Sequence, residues 1–176
     1  MWADIERGLV HTLSRYDLWL PLIGLGLALA QASSRLRLAV AAIFLTALPL
    51  GGLAADWIAD SSTNAVSALV LMLALGPVGA ITTGFALVLP DQWRDRMLPL
   101  AAVPVGAGLG LVVDFDRQKE LVLAGAATMA GAAVVAAVLA LWFLFERPWF
   151  VVAARIFGSW LVAIGAMLLA LLASRF

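Results

Sequence analysis

The chain has 176 residues, 64% of them hydrophobic and only 12% charged, with 11 basic and 11 acidic side chains in formal balance. Soluble domains carry roughly 25% charged residues, so this composition belongs to a membrane protein, as does a mean hydropathy of +1.05. The absence of cysteine excludes disulfides, iron–sulfur clusters and cysteine-held zinc, and no basic stripe points to nucleic acid.

The charges fall in short clusters, and the apolar runs between them set the expected elements. A lipid-facing backbone must satisfy its own hydrogen bonds, and about 20 apolar residues of helix cross a bilayer. Residues 2–15 place Trp2, Ile5, Leu9 and Leu13 at helical spacing, with Asp4, Arg7, His11 and Arg15 elsewhere. This predicts an amphipathic helix at the membrane interface or the first turns of helix 1. Asp4, Glu6, Arg7 and Arg15 interrupt any signal-peptide core, so the first helix is expected to be retained.

The first span is predicted over 17–31, with Pro21 near its start, where a missing N–H costs least. Ser33, Ser34, Arg35 and Arg37 break it, and a second span follows over 38–55. The third is placed over 64–89, with Gly76, Pro77 and Gly79 as a kink. Residues 90–96 read as a surface loop with an interfacial Trp93, before a fourth span over 97–113 that carries Pro99 and Pro104. The fifth, over 121–145, contains no charge and ends in the aromatic belt Trp142, Phe143 and Phe145. The last occupies 152–173. The expected fold is thus a single all-α domain, a polytopic transmembrane helical bundle of about six spans, with five or seven as alternatives.

An even count of spans puts both termini on one side. That side holds five basic and eight acidic residues, net −3, and the other holds six and three, net +3. Each loop on the second side has a basic pair, so it is expected to face the cytoplasm of a bacterial inner membrane, with the termini periplasmic.

Small residues mark the expected packing seams, where dispersion drives close approach. Gly106, Gly108 and Gly110 lie on the fourth span, Gly125 and Gly131 on the fifth, and Gly158 on the last. Gly106-x-Gly108-x-Gly110 is not a nucleotide loop, because it lacks a preceding strand and a Lys-Ser/Thr. Thr82, Thr83 and Thr128 can bond their own helix carbonyls. Arg155, just inside the last span, is either a functional intramembrane charge or a snorkelling side chain paired with Glu146 or Asp91.

His11 and Asp17 are the candidate metal ligands. Six residues are about 240° of helical rotation, so the two share a site only if the chain breaks between them; otherwise His11 is interfacial and Asp17 caps helix 1. No cofactor motif, nucleophile–base set or acid–base pair is visible, so an enzyme is not expected.

His11-Thr-Leu-Ser-Arg-Tyr-Asp17-Leu18 resembles the His-x5-Asp-His entry to the first helix of the HupE/UreJ family, membrane proteins associated with hydrogenases and ureases. Leu18 replaces the second histidine. Aligning the family's later His/Gly signature on Gly106 and Gly110 puts Val105 and Leu109 at its histidine positions and Val112 at its glutamate. Arg155-Ile-Phe-Gly-Ser-Trp160 is similar to the last helix of related members. The resemblance implies the family's bundle and divalent-metal (nickel-type) uptake, yet most of the ligands are carbon side chains here. Two functions follow as expectations. One is a non-catalytic accessory subunit of a larger membrane complex, contacting lipid and other subunits. The other is a small metal transporter whose acidic side concentrates divalent cations near His11 and Asp17.

Overall fold

A computed structural model describes residues 16–60, 65–113, 138 and 148–174, with side chains described over 19–54, 73–111, 138 and 149–174. All regular structure among the described residues is α-helical. The five described helices are α1 (Tyr16–Ala30), α2 (Ser34–Asp60), α3 (Ala65–Val88), α4 (Asp91–Val113) and α5 (Pro148–Ala173). The expected amphipathic segment over 2–15 and, apart from helical Val138, the expected span over 121–145 lie outside the described residues.

Four boundaries differ from the sequence reading by four residues or more. α2 runs on to Asp60, past the expected end at 55, its Pro49, Gly51 and Gly52 notwithstanding, and the other three have local reasons. The break after α1 is only three residues, because Ser33 sits at the N-cap of α2 and its carbonyl accepts the Arg37 N–H at 2.9 Å. Arg35 and Arg37 therefore belong to the first turn of α2. Residues 91–96 are the first turns of α4, not a loop. The Pro90 carbonyl accepts the N–H groups of Trp93 and Arg94, both at 2.9 Å, and Asp91 places an acid at the positive end of the helix dipole. Pro148 opens α5 four residues earlier than expected, at the position where a missing N–H is an orphan anyway. Despite Gly76 and Pro77, α3 is one helix of 24 residues.

Helix contacts give the side-by-side order α2, α4, α3, α5, with α1 laid against α3, α4 and α5. The close pairs Gly106 with Phe44 and Gly110 with Leu48 make α2 and α4 parallel. Gly84 with Gly158 and Pro77 with Gly165 make α3 and α5 antiparallel. Hence α1 and α3 run one way, while α2, α4 and α5 start together at the opposite end. The core contains Leu22, Leu25, Val40, Leu87, Leu98, Leu109 and Leu161, each fully or almost fully buried.

Two stretches, Ser34–Ala54 of α2 and Trp149–Ala173 of α5, are long and apolar enough to cross a membrane; 19–30 and 73–88 are shorter apolar helices. Only 28% and 17% of their most apolar windows are buried, where the core helix of a soluble protein is mostly buried. Their outer faces carry Leu38, 75% exposed, and Trp160, 67% exposed.

Candidate functional site

The densest polar contacts among the described residues gather where α1 ends, α2 begins and α4 begins. A helix end leaves its last four carbonyls without intrahelical donors. Many helices solve this with a left-handed residue, usually glycine. Here the turn is Gln31-Ala32-Ser33, and no described residue has a positive φ. Ala28, Leu29, Ala30 and Ala32 are all buried, which keeps water from doing the work.

Two arginines supply the missing donors. Arg37, half-buried on α2, donates from Nε to the carbonyls of Leu29 at 3.0 Å and Ala32 at 2.9 Å, and from Nη2 to Ala30 at 2.9 Å. Arg94 reaches from α4 and donates from Nη2 to the Gln31 carbonyl at 3.1 Å and from Nη1 to Gln31 Oε1 at 3.2 Å. Gln31 Nε2 turns back to the Leu27 carbonyl at 3.3 Å, and the Gln31 and Ala32 N–H groups serve Ala28 and Leu29. Every carbonyl from Leu27 to Ala32 thus has a donor.

Arg94 is only 8% exposed, the one buried charge among the described residues. Its Nη1 lies 2.9 Å from Asp91 Oδ1, and its Nε, which has no hydrogen-bond partner, lies 3.9 Å from Asp95 Oδ1. A buried guanidinium is tolerable only when paired and hydrogen-bonded, and Arg94 meets that condition through one carboxylate and Gln31. By sequence alone Arg94 reads as a loop residue and Gln31 as a helix-end residue. The available signal was Pro90-Asp91 followed three residues later by Arg94, a helix start with an i,i+3 ion pair.

The candidates named from the sequence are distributed differently. His11 lies outside the described residues; Asp17 stands in the first turn of α1, at the end opposite the arginines, and its side chain is not described. Arg155 is exposed on the second turn of α5 and makes no pair with Asp91, which is held by Arg94, while Glu146 lies outside the described residues. Gly106, Gly110 and Gly158 sit where neighbouring backbones come closest, while Gly125 and Gly131 lie outside the described residues. A Cβ on Gly110 would land on the Leu48 carbonyl; one on Gly106 would lie 2.7 Å from the Phe44 carbonyl oxygen, and one on Gly158 2.8 Å from that of Gly84. Gly108 is roomier, its nearest neighbour being Leu75 Cβ at 3.4 Å. Thr83 is entirely buried and donates to the Gly79 carbonyl at 2.6 Å, and Thr82 donates to Val78 at 2.9 Å.

Val105 and Leu109, at the positions of the resembled family's histidines, are buried in the core. Among the described residues no three His, Asp or Glu side chains group closely enough to hold a metal ion. A cleft between α1, α3 and α4, lined by Pro21, Gly76, Gly79 and Pro104, has a volume of about 10 Å³ and no charged wall. That is room for about one water molecule, too little for an organic substrate. No protein-family model, curated protein or solved structure matches the chain.

Proposed function

We propose that the chain is an integral membrane protein of about six spans, a non-catalytic accessory subunit of a larger membrane complex, built like the HupE/UreJ proteins but without their metal-ligand set. The observation that carries this reading is the division of polarity. The outer helices α2 and α5 present Leu38, Leu50, Ile156, Trp160 and Met167 outward. Meanwhile the buried polar side chains among the described residues, Thr83 and Arg94, are used on the protein's own backbone and turn. Such an outside suits lipid, and such an inside offers a substrate little to hold.

Chain direction supports the count. α4 ends at one end of the bundle and α5 starts at the other, the relation that one further span between them predicts. The arginine-rich end is read as cytoplasmic, in a bacterial inner membrane, with the termini periplasmic. Purification in mild detergent should retain other membrane subunits; a stable solitary monomer overturns the accessory reading.

The second reading is a divalent-metal transporter. One observation favours it: Pro21 of α1 has no N–H, so the backbone carbonyl of Asp17, itself an acidic residue, has no i+4 helical donor. Asp17→Asn and His11→Ala should then abolish cellular nickel accumulation, and normal uptake in both variants removes this reading.

A further inference from the structure

Three arginines at one end of the bundle pair with no anion among the described residues. Arg94 pairs closely with Asp91 and lies 3.9 Å from Asp95, and Arg37 is turned onto the carbonyls of α1. Arg35 on α2, Arg96 on α4 and Arg155 on α5 are exposed and pair with no carboxylate among the described residues. All three helices start at this end, and at 1.5 Å of rise per residue each arginine stands within about 11 Å of its helix start. They sit on different helices around the bundle, so they form a level of outward positive charge rather than a single pocket.

On α4 that level has an amphiphilic design. The Arg96 guanidinium lies 5.5 Å from the centroid of the Trp93 ring, in cation–π contact. Trp93 is itself about half exposed, as an interfacial tryptophan is. Deeper on the same face, at spacings of four and seven residues, Leu100 and Val103 are 60% and 47% exposed. On α2, Arg35 similarly stands one turn above exposed Leu38. A cation and an indole above an aliphatic strip match a phosphate headgroup above an acyl chain. A free phosphate would leave the strip unused.

We infer that this end of the bundle selects anionic phospholipid, with Arg96 and Trp93 holding a headgroup phosphate on α4, its acyl chain along Leu100 and Val103, and Arg35 and Arg155 attracting further anionic headgroups on α2 and α5. The inference rests on the membrane reading above, and the two fail separately. Release of the chain by alkaline carbonate would end the membrane reading, whereas a carbonate-resistant chain without lipid preference would end only this one.

The test is native mass spectrometry of the full chain released from nanodiscs holding equal amounts of phosphatidylglycerol and phosphatidylcholine. The wild type should retain phosphatidylglycerol preferentially. Arg96→Gln should lower that preference about fivefold, the scale of one interfacial charge, and Arg96→Lys should keep most of it. The triple variant Arg35→Gln, Arg96→Gln, Arg155→Gln should lose it, and if the triple variant fails to fold, the Arg96 pair decides. Equal retention of the two lipids by the wild type, an unchanged preference in Arg96→Gln, or displacement by inorganic phosphate each overturns the inference, the last by making this a free-anion site.

Discussion

At the end of α1, two guanidinium groups stand in for the left-handed glycine that closes many helices. The arrangement suits a turn in apolar surroundings, because arginine brings several donors in a rigid fork and stays charged. Removing them should therefore cost more than an ordinary surface substitution. Arg37→Ala strips donors from three buried carbonyls and should destabilise the protein by about 2–3 kcal/mol, read as a lowered melting midpoint in detergent. Arg37→Lys should recover only part of that, since one ammonium cannot span the same carbonyls. Gln31→Ala and Arg94→Ala should show a coupling of about 1 kcal/mol in a double-mutant cycle; strict additivity would mean that their contact contributes nothing. Gln31 and Arg94 are separated by 63 residues in the chain. No local spacing encodes such a pair, so the sequence showed both residues but not their meeting.

Among the helices, glycine content was legible and glycine partnership was not. Small residues on the fourth span announce close approach, yet only the packed helices distinguish their roles. Gly106 and Gly110 face α2, at Phe44 and Leu48, whereas Gly108 faces α3, at Leu75. The difference is testable at two positions of one helix, two residues apart. Gly110→Ala must push α2 and α4 apart against a backbone carbonyl and should cost about 1–3 kcal/mol. Gly108→Ala meets only ordinary contact and should be neutral or slightly stabilising, since alanine in a helix interior gains roughly 0.5–1 kcal/mol over glycine. Equal melting shifts for the two variants would contradict the assignment of the α2–α4 seam. The boundary error at 91–96 has a related cause. A run with four charges reads as a loop by composition, but Asp91 and Arg94 pair along a helix turn, and α1 supplies the surroundings that hold it.

For the whole molecule, the parallel pairing of α2 with α4 and the antiparallel pairing of α3 with α5 put the starts of α2, α4 and α5 at a common end. Since the chain has no cysteine, single substitutions report sidedness without background. Gln92→Cys, exposed at the arginine-rich end, should resist a membrane-impermeant maleimide in intact cells and react after lysis; labelling in intact cells would reverse the orientation. The apolar runs and clustered charges determined, without any structure, that the chain is helical and too apolar for an ordinary soluble domain, because helix length and backbone hydrogen bonding in lipid act on local sequence. Tertiary structure alone decided which helices are neighbours, which glycines lie on their seams, and that Arg94 is a buried tie while Arg35, Arg96 and Arg155 remain outward. Those outcomes depend on which residues distant in the chain meet, and a side chain's worth is set by what lies opposite it.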